Sequence, residues 1–294
     1  MAEQLDTIRA DARVIDLGVD DETRARRLYL DLLKQVLTRL IFPETYRPVD
    51  PHKGTLQRAL FTPVRKLLDA AGLQLVRRFE YDAERRREGL DWPPDAETMI
   101  GINRLDNLEL CVSDVIRRGV PGDLIETGVW RGGAAIFMRA VLEAFGDTDR
   151  MVWAADSFQG LPKPDPRHQD DVRDAYWRKP VLAASLDEVK ANFAKYGLLD
   201  DRVRFLPGWF RDTLPSAPIE RLAVLRLDGD LYESTMDALE ALYPKLSVGG
   251  YAIIDDYRIV PGCNRAVDEY RARHGIQEEM HVVDWGCVYW QRER

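Results

Sequence analysis

Two pairs of acids in the second half of the chain offer the clearest chemistry. Asp228 and Asp230 lie in Arg226-Leu227-Asp228-Gly229-Asp230-Leu231-Tyr232-Glu233-Ser234-Thr235, directly after the apolar run Leu222 to Leu227. Asp255 and Asp256 follow the run Tyr251 to Ile254 and precede Tyr257. If each run is a strand, the four carboxylates emerge at strand carboxyl ends on one edge of a sheet. Like charges at short range repel strongly where the dielectric is low, so such a cluster asks for a cation. Oxygen ligands of this kind suit Mg²⁺, which is hard and keeps part of its water shell. The competing reading is that some of these acids cap helices or pair with Arg226, Arg258 or Arg265. The cluster as a whole favours the metal.

Two earlier motifs could hold a cofactor. Glu126-Thr127-Gly128-Val129-Trp130-Arg131-Gly132-Gly133-Ala134 closes one strand and opens a helix, and its glycines let the backbone turn sharply against a ligand. The spacing is not GxGxxG, which argues against a dinucleotide pyrophosphate. Asp156, in Ala154-Ala155-Asp156-Ser157-Phe158-Gln159-Gly160-Leu161-Pro162, stands 30 residues after Glu126. An acid at the end of the second strand can accept both ribose hydroxyls of an adenosine. It can equally cap a helix or form an Asx turn. Together the two motifs describe an adenosine pocket.

The elements that must position these residues alternate in type. Strands are expected at Asp123 to Thr127, Met151 to Asp156, Val203 to Leu206, Leu222 to Leu227 and Tyr251 to Ile254. Helices are expected at Ala134 to Phe145 and Ser234 to Leu246. His281 to Trp285 and Cys287 to Gln291 form an expected closing antiparallel pair. This alternation predicts an α/β fold with a mainly parallel sheet covered on both faces, where ligands sit at the strands' carboxyl ends. Upstream, Leu28, Leu32, Leu33, Val36, Leu37 and Leu40 recur at helical spacing, and helical patterning returns from Leu56 to Leu75. Pro43, Pro48 and Pro51 mark a loop between them. Residues 1 to about 24 are expected to be weakly ordered. The charged stretch Glu80 to Glu88 leads into Trp92-Pro93-Pro94, and the division is placed between residues 1–90 and 91–294.

Composition excludes several classes. The chain has 294 residues, 45% of them hydrophobic and 31% charged, with no run near the roughly 20 apolar residues of a membrane span. Its polar, acidic N-terminus is unlike a secretory signal, so a cytoplasmic location is expected. The net charge of -8 argues against a nucleic-acid partner, which needs a positive field to displace counterions. Cys111, Cys263 and Cys287 lack ligand or disulfide spacing, and His52, His168, His274 and His281 offer no zinc set.

The three motifs, in this order, resemble the macrocin O-methyltransferase (TylF-type) family, class I methyltransferases that act on sugar hydroxyls of macrolides and related natural products. The resemblance extends through Leu28-Tyr29-Leu30-Asp31-Leu32-Leu33-Lys34, Asp91-Trp92-Pro93, Thr98-Met99-Ile100-Gly101 and Arg104-Leu105-Asp106-Asn107-Leu108, and downstream to Gly208-Trp209-Phe210-Arg211-Asp212-Thr213-Leu214. It implies a Rossmann-like, mainly parallel seven-stranded sheet with an N-terminal helical lid, and a homodimer or higher oligomer. S-adenosylmethionine and Mg²⁺ are the implied cofactors. Glu126 and Gly128 would line the methionine end, Asp156 would hold the ribose, Ser157 and Asp212 would lie near the adenine, Met99 would cover the cofactor, and Thr127 and Asp228 would also contact it. Asp228, Asp255 and Asp256 would ligate Mg²⁺, and Asp230 would be the general base. The loop from Pro162 to Leu186, with Tyr176 and Trp177, would be a second wall.

The sulfonium methyl is already activated, so the protein must mainly deprotonate and orient an acceptor. A divalent ion would lower the pKa of a sugar hydroxyl and hold it in line, and Asp230 would take the proton. The expected acceptor is a glycosylated small molecule. A catechol-type phenol is the alternative acceptor, and a catalytically silent dimeric scaffold is the alternative outside enzymes. An NAD-dependent sugar enzyme ranks lowest because GxGxxG is absent. His281 and Trp285 are read as structural, and Trp130 and Arg131 as packing or dimer contacts.

Overall fold

The computed structural model describes residues 20–42, 46–49, 56–78, 80–91, 93–172 and 175–294. It opens with α1 (Asp21–Leu37), so helix replaces the weak order expected up to residue 24. The cause is local: Asp20 accepts a hydrogen bond from the Thr23 amide at 2.8 Å, an N-cap the apolar pattern alone did not reveal. The rest of that expectation, residues 1–19, lies outside the described residues, as do Pro43 and Pro51 of the expected loop. Pro48 ends a short strand, β1 (Tyr46–Pro48), which flanks α2 (Leu56–Ala70) and pairs antiparallel with β2 (Val76–Arg78).

After α3 (Ala83–Arg87) and α4 (Ile102–Arg117) the α/β alternation begins. It runs β3 (Asp123–Thr127), α5 (Gly133–Ala144), β4 (Val152–Asp156), α6 (Gln169–Val172), α7 (Leu186–Lys195), β5 (Val203–Pro207), α8 (Phe210–Thr213), β6 (Leu222–Leu227) and α9 (Tyr232–Leu242). It closes with β7 (Leu246–Ile254), α10 (Pro261–His274), β8 (His281–Val282) and β9 (Val288–Gln291). The seven-stranded sheet has the order β5-β4-β3-β6-β7-β9-β8. Neighbours are parallel from β5 to β7, and the last two strands are antiparallel, as expected. The chain order reverses direction at β3, which has β4 on one side and β6 on the other. That switch point opens a crevice at the carboxyl ends.

Successive side chains of a strand face opposite ways, and the core divides accordingly. Leu124, Ala154, Val224 and Ile253 belong to one apolar cluster with α4 and α5. Ile125, Ala155, Leu225 and Ile254 belong to another with α9 and α10. Leu30, Leu33 and Leu37 join the first cluster, so α1 is packed against the sheet's helical layer. Among the described residues no helix is long and apolar enough to cross a membrane.

Candidate active site

Parallel pairing lines up the strand ends that carry the acids. Glu126 lies opposite Arg226, and the Asp228 amide donates to the Thr127 carbonyl at 2.8 Å. The Asp255 amide donates to the Leu227 carbonyl at 2.9 Å, which sets β7's end beside β6's. Asp228, Asp255 and Asp256 each bring a carboxylate oxygen to within 4.8 Å of the others. Asp255 and Asp256 are buried, and Asp256 Oδ2 has no hydrogen-bond partner. Burial pushes the Asp228 carboxyl up to about 6, and the charge of Asp255 adds to the shift. Burial also raises Asp256 well above the usual carboxylate range, assisted by Asp230, Asp228 and Asp255. Asp230 sits two residues past Asp228 with φ +56°, a left-handed conformation uncommon for a side-chain-bearing residue.

Two buried arginines hold this cluster from below. Arg226 pairs with Glu126 at 2.6 Å, with Asp228 at 2.9 Å, and with Asp255. Arg104, from the start of α4, pairs with the other oxygen of Asp255 and with Asp284 at 2.7 Å. Asp284 is itself fixed, because it accepts the Gly286 and Cys287 amides at 2.8 and 2.9 Å. The expected pairing with Arg226 therefore occurs, whereas Arg265 pairs with Asp170 and Arg258 donates to the Asp284 carbonyl. Arg104 and Asp284 were not singled out from sequence. They come from segments about 180 residues apart in the chain. Around the three-acid cluster, Glu126, Asp228, Asp230, Asp255, Asp256 and Asp284 outnumber Arg104 and Arg226. That excess of acid suits a divalent cation.

Asp228 and Asp230 open onto a cavity of about 470 Å³ at the sheet's switch point. Met99, Gly128, Asp156 and Ser157 line it, as the sequence led one to expect of cofactor contacts. Gly128 is forced by the approach of two strand ends: its φ is +87°, and a Cβ there would lie 1.7 Å from the Asp228 carbonyl oxygen. Asp156 accepts backbone amides from Val129 at 2.7 Å and Phe158 at 2.7 Å, so it also ties the two glycine-bearing turns together. Burial raises its pKa above the ordinary value, opposed by those amides. The Trp130 amide at 3.3 Å and the Ser157 hydroxyl at 3.4 Å add two longer contacts, so a further donor would compete with these weaker two.

Glu126 and Thr127 lie beneath the cavity rather than on its lining. Glu126 is buried against Arg226, and burial pushes its carboxyl up to about 8. Asp212 is 63% exposed on α8 and pairs with Arg211 at 3.7 Å, while Trp209, Phe210 and Arg211 take the lining positions. Trp130, read as a packing residue, lines the cavity with φ +46°. Its neighbour Arg131 does pack, donating to the Ala96 carbonyl at 3.2 Å. Trp177 of the expected second wall also lines the cavity. His281 is exposed on the edge strand, and Trp285 donates to the Glu88 carbonyl at 2.9 Å and carries Arg104 over its ring.

Residues 26–292 match the profile of the family described as Macrocin-O-methyltransferase (TylF). The 8-demethyl-8-(2,3-dimethoxy-alpha-L-rhamnosyl)-tetracenomycin-C 4'-O-methyltransferase of Streptomyces olivaceus is 53% identical over 269 residues, 91% of this chain and 93% of that protein. The demethyldecarbamoylnovobiocin O-methyltransferase of Streptomyces niveus is 59% identical over 216 residues, 73% of this chain and 82% of its own length. Among solved structures, that of the O-methyltransferase NovP superposes with a TM-score of 0.78 at 50% identity, covering 92% of this chain and 100% of that one.

Proposed function

The chain belongs to the macrocin O-methyltransferase (TylF) family, and from that premise we propose that it methylates a sugar hydroxyl of a glycosylated natural product, with S-adenosylmethionine as donor. The observation that carries this reading is the triad of the buried Asp255 and Asp256 with the half-buried Asp228, which meets the cavity through Asp228. A relative whose name specifies the 4'-oxygen of a rhamnosyl group supports the choice of acceptor class.

Asp228, Asp255 and Asp256 would hold Mg²⁺, since their mutual spacing, their excess charge and the unpartnered Asp256 Oδ2 all fit a hard cation. When bound, the ion would acidify the acceptor hydroxyl and fix its orientation. The remaining work belongs to the chain itself. Asp230, on the cavity wall, would receive the hydroxyl proton. Arg226 and Arg104 keep Asp255 oriented by engaging both its oxygens. Asp156 would hold the ribose and Ser157 the adenine side, with Gly128 and Asp228 toward the methionine, Met99 as cover, and Glu126 and Thr127 supporting the methionine end from beneath the cavity. Residues 1–90 would cover the acceptor as a lid rooted through α1. The exposed Leu28 and Leu32 of α1 support a homodimer, which light scattering would check.

The test is isothermal titration of S-adenosylhomocysteine, with Mg²⁺ or with EDTA, into wild type and Asp156→Ala. Loss of the ribose acceptor should weaken binding roughly tenfold or more. Turnover on a glycoside and on its aglycone then separates acceptor classes. Methylation of an aglycone catechol without methylation of the glycoside would replace the sugar reading with a phenolic one.

A further inference from the structure

Helix α9 begins two residues after Asp230, and its N-terminus lacks a local cap: the N-cap residue is Leu231, whose side chain makes no capping hydrogen bond. The missing acceptor arrives from elsewhere. Asp171, 61 residues upstream and between the cavity-lining Lys163 and Trp177 in sequence, accepts the Tyr232 amide at 2.9 Å. Asp171 is buried, with only 2% of its surface exposed. Its second oxygen has no hydrogen-bond donor and sits against Gly262 of α10, where a Cβ would fall 1.8 Å away. Any Cβ at position 262 would force this carboxylate out of its present position.

The same segment grips the next residues of α9. His168 stacks on Tyr232 with ring centroids 4.2 Å apart, and Arg167 pairs with Glu233 at 3.2 Å. Arg265, on α10, contacts His168 at 3.2 Å and covers the other neighbour by lying over the Tyr232 ring. Leu161, Pro162 and Lys163, just upstream, line the cavity, and so does Glu233. The segment that follows the lining residues Leu161 to Lys163 is thus clasped to the first turn of the helix that follows Asp230.

We propose that Asp171 is a positioning residue for methyl transfer. By capping α9 from the segment that joins the lining residues Lys163 and Trp177, it sets the backbone between Asp230 and Tyr232. A carboxylate at this end also complements the helix dipole. The left-handed Asp230 needs such restraint, because that conformation persists only where its surroundings over-determine it. The catalytic consequence rests on the assignment of Asp230 as base.

The experiment compares Asp171→Ala, Asp171→Asn and Gly262→Ala by amide hydrogen exchange at Tyr232, by kcat, and by S-adenosylhomocysteine affinity. Asp171→Ala should speed Tyr232 exchange roughly fivefold, the size of a lost cap, and lower kcat roughly 10- to 100-fold with cofactor affinity intact. Asp171→Asn keeps an acceptor oxygen and should recover most of both. Gly262→Ala presses a methyl group onto Asp171 and should reproduce the alanine phenotype with Asp171 still present. Unchanged exchange in Asp171→Ala overturns the proposal. So does an equal loss of kcat, cofactor affinity and Tm in both Asp171 variants, which marks a merely structural role. Should Asp171→Ala fail to fold, Gly262→Ala decides, and normal exchange with normal kcat there overturns the proposal. A fully active Asp230→Asn would remove the base assignment while leaving the Tyr232 exchange result standing.

Discussion

At Arg226 one guanidinium reaches carboxylates from three strand ends: Glu126 of β3, Asp228 past β6 and Asp255 past β7. Removing one partner of a buried ionic group leaves uncompensated charge, so Arg226→Met should cost about 3–5 kcal/mol in urea unfolding. A loss below about 1 kcal/mol would mean that the acids do not depend on it. The raised Asp228, at about 6, and the raised Asp256 give a second expectation. A bound cation needs these groups ionised, so binding must release protons below neutrality and tighten as pH rises through about 5 to 7. Titration of Mg²⁺ in buffers of different ionisation enthalpy reads the protons directly, and zero release at pH 6 would contradict the proposed ligand set. Gly128→Ala should abolish cofactor binding or folding, because the 1.7 Å approach to the Asp228 carbonyl leaves no place for a methyl. These acids and Gly128 were legible because they follow apolar runs at strand ends. Arg104 and Asp284 were not, since an arginine and an aspartate distant in sequence carry no local sign that they will meet.

The turn between β8 and β9 acts on the site as an element. Asp284 fixes its own backbone through the Gly286 and Cys287 amides and holds Arg104, which in turn holds Asp255. Asp284→Ala should therefore lower Tm and weaken divalent-cation binding together, although Asp284 is not a proposed ligand. Cation affinity equal to wild type in a destabilised variant would confine the turn to a stability role. The β3 and β6 strands match their expected spans and β4 and β5 fall within one residue of theirs, because each holds a short apolar stretch next to polar or turn residues. Helix α10 was missed for a physical reason. Its buried face is built from Gly262, Cys263, Ala266, Val267 and Tyr270, and these mostly small residues give a faint hydrophobic period. Helix α4 was missed as well: it places Leu105, Leu108 and Val112 inward, yet polar neighbours interleave with them and hide the period.

On the scale of the whole molecule, α1 is part of the folded core and not only the root of a covering segment. Leu30, 1% exposed, belongs to the cluster that includes Leu105 and Phe137. Leu30→Ala should cost about 2–5 kcal/mol in a single cooperative transition. A separate early transition would instead divide α1 from the sheet domain. What the sequence determined alone was the local part: alternating strands and helices, glycines where the chain must turn left-handed, and acids at the carboxyl ends of apolar runs. Those features depend on residues within a few positions of one another. The tertiary structure decided which charges neutralise which, that Asp212 lies off the cavity lining while Trp130 lies on it, and that α9 is capped from 61 residues away. Each of these is set by the packing of segments distant in sequence, and that packing becomes definite only when the sheet closes its register.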